Sequence, residues 1–94
     1  MTTTQKHYGL TPRQGKSLRY VVSVDRHRGD PVPPEKLVVL TPWSDLPHTV
    51  LSAGAVLKEL EKKKLIIKDD GGYRPTPKGK DIIEKARERG LWNK

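Results

Sequence analysis

The chain has 94 residues, enough for one domain, with 33% apolar against 32% charged residues, near the polar edge of globular composition. It holds no cysteine, which excludes disulfides and thiolate metal sites. Its 19 Lys and Arg against 11 Asp and Glu leave a net charge of +8, which suits a polyanionic partner because neutralised phosphates release condensed counterions, although solubility alone makes many proteins basic.

Residues 1–9 read as a flexible polar arm without the apolar stretch of a secretory signal, and residues 10–94 as the domain. The first helix is expected over about 12–27. Thr11 can cap it, Pro12 suits its first position, and Gln14 stands at the capping-box position. Leu18, Val21 and Val22 form its buried stripe, Gly29-Asp30-Pro31 ends it, and Pro31-Val32-Pro33-Pro34 makes a stiff connector. A short second helix over about 34–41 turns Leu37 and Leu40 inward and stops at Pro42. After the loop from Trp43 to His48, the third helix runs over about 49–64. At 100° per residue, Val50, Ala53, Val56, Leu57 and Leu60 share one side, and Leu51, Ala55, Lys58, Glu59 and Lys62 share the other.

Two β-prone segments flank Asp70-Gly71, a strong turn signal, so a hairpin is expected near 65–75 with Ile66 or Ile67 inward and Pro75 closing the second strand. Thr76 and Pro77 open a last helix over about 77–89, with Ile82, Ile83 and Ala86 as its stripe and Gly90 as its stop. The longest apolar runs, such as Leu37 to Leu40, are far too short to span a membrane, and a cytoplasmic location is expected by default.

Several short segments carry a resemblance. Leu57-x-x-Leu60-Glu61-Lys62-Lys63-Lys64-Leu65-Ile66 resembles the L-x-x-L-E-x-K-G-L-I junction of bacterial winged-helix regulators. Gly72 to Gly79 is similar to the Y-x-L-T-P-x-G stretch that leaves the wing in MarR- and PadR-like repressors, and Leu10 to Gln14 with Gly29 to Pro34 looks like the start of the LexA DNA-binding domain. The resemblance implies an α+β winged helix-turn-helix: three helices, a two-stranded hairpin wing and a C-terminal helix. It further implies a third helix in the major groove and a wing on the DNA backbone. The groove-facing positions then fall at His48, Thr49, Leu51, Ser52, Ala55, Lys58 and Lys62, with Lys68 and Arg74 on the wing and Lys78 and Lys80 at the start of the last helix.

This chain departs from those regulators in having Ala55 where Arg is common and Lys64 where Gly is common, and its wing carries Asp69 and Asp70, which repel phosphate. Residues 31–60 hold Lys36 and Lys58 against Glu35, Asp45 and Glu59, one net negative charge, so the basic excess lies in residues 1–30 and 61–94. The leading expectation is a DNA-binding transcriptional regulator whose partner is double-stranded DNA. The alternative is a winged-helix module that binds a protein such as a polymerase or replication factor. No enzyme is expected, since neither a Cys nucleophile nor a His–carboxylate cluster is present, and His7, His27 and His48 lie too far apart to suggest a metal or other cofactor. A homodimer through the final helix, extended by Leu91 and Trp92, is the expected assembly, with those two residues closing the monomer core as the other arrangement.

Overall fold

The computed structural model describes residues 8–39 and 49–91. Among these residues the order is α1 (Pro12–Arg28), α2 (Pro34–Val39), α3 (Val50–Lys62), β1 (Ile66–Asp69), β2 (Gly72–Pro75) and α4 (Pro77–Glu88). The class is α+β, four helices and one antiparallel hairpin. None of these helices is long and apolar enough to cross a membrane.

The helices begin where short polar side chains can take up orphan N–H groups. Thr11 Oγ1 accepts from the Gln14 N–H at 3.2 Å while Gln14 Oε1 accepts from the Thr11 N–H at 3.1 Å, a reciprocal capping box with Pro12 at the first position. Thr49 and Thr76 cap α3 and α4 by accepting from the Ser52 and Gly79 N–H groups. α1 ends on Gly29, whose N–H donates to the carbonyls of Val24 and Asp25. α3 stops two residues before Lys64. Lys64 adopts φ 63°, its N–H donates to the Glu61 carbonyl and the Leu65 N–H to the Leu60 carbonyl, so a left-handed turn closes the helix.

Asp70 and Gly71, at φ 49° and 82°, make the two-residue turn of the hairpin, in which Ile66 pairs with Pro75 and Asp69 with Gly72. The proline-rich connector does more than link helices. Val32 and Tyr73 exchange N–H···O bonds of 2.9 and 3.0 Å, so the segment after α1 lies along the free edge of β2.

One core joins these elements. Leu18, Val21 and Val22 of α1 meet Leu37 of α2, then Ala53, Val56, Leu57 and Leu60 of α3, with Leu10, Val32, Leu65, Ile66 and Tyr73 around them. The hairpin resolves the choice between its isoleucines: Ile66 is fully buried and Ile67 is 51% exposed. Leu40, expected in the core, lies outside the described residues. On α4, Ile83 and Ala86 are buried, and Ile82 and Leu91 pack against the same core. The stripe read as a self-association element is therefore largely taken up within the monomer, and Leu91 takes the core-closing arrangement. Trp92 lies outside the described residues.

Residues 1–7 of the expected arm also lie outside the described residues. At its end, the Arg89 guanidinium sits 5.7 Å from the centre of the Tyr8 ring, tying residue 8 to the end of α4.

Candidate nucleic-acid interface

The outward side of α3 is the natural place to look for a binding surface, because its inward side is consumed by the core. Burial follows the helical period: Ala53, Leu57 and Leu60 are fully buried, while Leu51, Ala55, Lys58 and Lys62 are exposed, Leu51 at 86%. At 100° per residue these four fall within about 60° of one another. Thr49 and Ser52 stand at the start of the same helix. The Thr49 hydroxyl oxygen accepts from the Ser52 N–H at 3.0 Å, which leaves its O–H free to donate outward. His48 lies outside the described residues.

The charges on this side differ in how they are used. Among the described residues Lys58, Lys62, Lys63, Lys64, Lys68 and Lys78 form no ion pair, whereas Lys80 reaches Asp25 at 3.5 Å and Lys85 pairs with Asp81 one turn earlier. Lys68 projects from β1, which packs against α3. Lys63 and Lys64, which were not among the groove-facing positions expected from the sequence, are exposed and extend the set past the end of α3. The run of three lysines was the signal for them.

Arg74 behaves differently from the lysines. It pairs closely with Asp69 across the hairpin, and its Nη1 donates to Asp25 Oδ1 at 3.2 Å and to the Gly29 carbonyl at 2.7 Å. The hydrogen bond to Asp69 pushes the Arg74 pKa above its ordinary value against some loss of solvent, and the charges of Asp69 and Asp25 add to the rise. Asp25 thus receives Arg74 from β2 and Lys80 from α4, holding three elements at one junction. This hairpin cation is anchored inside the chain, and it partly cancels the Asp69 charge.

The structure therefore gathers Thr49, Ser52, Ala55, Lys58 and Lys62 on one helix, sets Lys68 on the adjoining strand, and turns Arg74 toward α1. Leu51 is the apolar member of the same stripe. No family model matches the chain, and no curated protein or solved structure is found to be similar to it.

Proposed function

We propose that the chain is a DNA-binding transcriptional regulator of winged-helix type, with α3 in the major groove and the hairpin on the backbone. The architecture is supported by the order of helix, short helix, longer helix, hairpin and helix, and by the connector after α1 pairing with the hairpin edge. The observation that carries the function is the exposed stripe on α3, with Lys58 and Lys62 unpaired among the described residues and Lys68 following on β1. Thr49 and Ser52, with His48 ahead of them, would meet base edges or phosphates at the helix start. Leu51 and Ala55 suit thymine methyl groups, and the lysines suit phosphates. Arg74 serves this reading by fixing the hairpin relative to α1.

A second reading is a protein-binding module on the same scaffold. It is favoured by Leu51 and Ile67, two large apolar side chains at 86% and 51% exposure. Titrating random duplex DNA across a salt series separates the two. A steep linear fall of log K with log salt supports DNA as the partner, and no binding at low salt supports a protein.

A further inference from the structure

We infer that the cleft between α1 and α4 is a docking site for an acidic peptide segment that carries one bulky apolar side chain. The cleft holds about 180 Å³, with Val22, Ile83 and Leu91 as its apolar lining and Arg19, Arg26 and Arg87 among its polar lining. An apolar cavity of about 150 Å³ takes up a benzene ring, so this volume fits a single aromatic or large aliphatic side chain. Arg19, Val22 and Arg26 recur along α1 at three- and four-residue spacing, which places cations and apolar surface side by side on one helix face.

Charge selects the occupant. Arg26 is held by Glu84 of α4 at 3.3 Å, one of its five N–H donors being used, and Arg87 forms no ion pair among the described residues. A carboxylate on either side of an apolar anchor would meet these guanidinium groups while the anchor leaves water. A nucleic acid backbone answers the arginines but gives nothing to Val22, Ile83 and Leu91. A second copy joined through this face by a two-fold axis would set its own arginines against these. This site is separate from the α3 surface and does not rest on the DNA reading.

The test is an amide chemical-shift titration of the full chain with the capped peptide Asp-Glu-Trp-Glu-Asp. The expected shifts lie along α1 from Arg19 to His27 and from Ile83 of α4 through Leu91 after its end. Replacing the peptide's Trp by Ala, or Arg87→Glu in the protein, should each weaken binding by about tenfold, and Arg87→Lys should keep most of it. Melting curves of both variants confirm that they fold. Equal binding of the Trp and Ala peptides would overturn the proposal by reducing the cleft to a charged patch. So would shifts confined to α3, or no shifts at millimolar peptide. Binding that appears only after truncation beyond Leu91 would also overturn it, by assigning the cleft to the chain's own end.

Discussion

Arg74 on the hairpin donates to Asp25 on α1 at 3.2 Å across 49 residues of sequence, and Asp25 is the same carboxylate that Lys80 approaches from α4. The guanidinium also takes the Gly29 carbonyl, at the end of α1. A hairpin of two four-residue strands is marginal by itself and needs such ties to keep its angle to the helices.

Arg74→Ala should therefore lower the thermal midpoint, and Asp25→Ala should do the same. The double variant should lose less than the two single losses combined, because both remove one shared interaction. Strict additivity would show the pair to be idle. For DNA, Arg74→Ala should leave the salt slope of binding unchanged, since this cation is already engaged within the chain.

Gly79 illustrates a second constraint. A Cβ at this position would lie 2.2 Å from the Leu65 carbonyl oxygen, a backbone atom that also accepts the Thr76 N–H at 3.0 Å. The first turn of α4 can press this closely on the Leu65 backbone, just ahead of β1, only where no side chain intervenes. Gly79→Ala should cost about 3 kcal/mol by forcing the helix away from that backbone, a large share of the stability of so small a domain. Denaturant unfolding measures it, and a variant as stable as the parent would mean that α4 sits elsewhere.

Lys64 is the reverse case. It holds φ 63° in the turn that closes α3, where a left-handed conformation costs an L-residue about 1–2 kcal/mol and a glycine nothing. Glycine's greater freedom in the unfolded chain takes back part of that difference. Lys64→Gly should stabilise the protein by about 0.5–1 kcal/mol, raising the thermal midpoint by roughly 4–8 °C per kcal/mol in a domain of this size. A lower midpoint would contradict the left-handed turn.

The two faces of α3 can be tested against each other. Leu60 is fully buried and Leu51 is 86% exposed. Leu60→Ala should cost roughly 2–5 kcal/mol, and Leu51→Ala should stay within about 0.5 kcal/mol of the parent. If Leu51 meets base edges, its loss should change affinity for some duplex sequences and leave others alone. Equal destabilisation by both changes would place the helix at the wrong rotation.

The parts of this fold that depend on near neighbours were legible in the sequence. Thr11, Pro12 and Gln14 announced the start of α1, Thr76 and Pro77 that of α4, and Asp70-Gly71 the hairpin turn, because caps and tight turns are set by residues within a few positions. The side of α3 that faces inward followed from its apolar period. Which of Ile66 and Ile67 is buried did not, since adjacent strand residues point to opposite faces and only the register decides. The bridge from Val32 to Tyr73, the reach of Arg74 to Asp25 and the approach of Gly79 to Leu65 join residues distant or unpatterned in sequence, and no local rule predicts them. On the candidate interface, the lysines of α3 were visible as an outward face, whereas the internal anchoring of Arg74 appeared only once α1 and the hairpin were placed together. Arg19 and Arg26 of the α1–α4 cleft were spaced along α1 in plain view, but Arg87 and the apolar partner surface of Ile83 and Leu91 come from a distant part of the chain.

The most direct test of the DNA reading is the salt dependence of duplex binding for the parent, for Lys58→Ala, for Lys62→Ala and for the double variant. If both lysines neutralise phosphates through the outward face of α3, each single change should lower the slope of log K against log salt by about one, and the double change by about two, with melting curves unchanged. Duplex binding with the same slope in all four proteins would contradict α3 as the reading helix, and no duplex binding by the parent at low salt would contradict DNA as the partner.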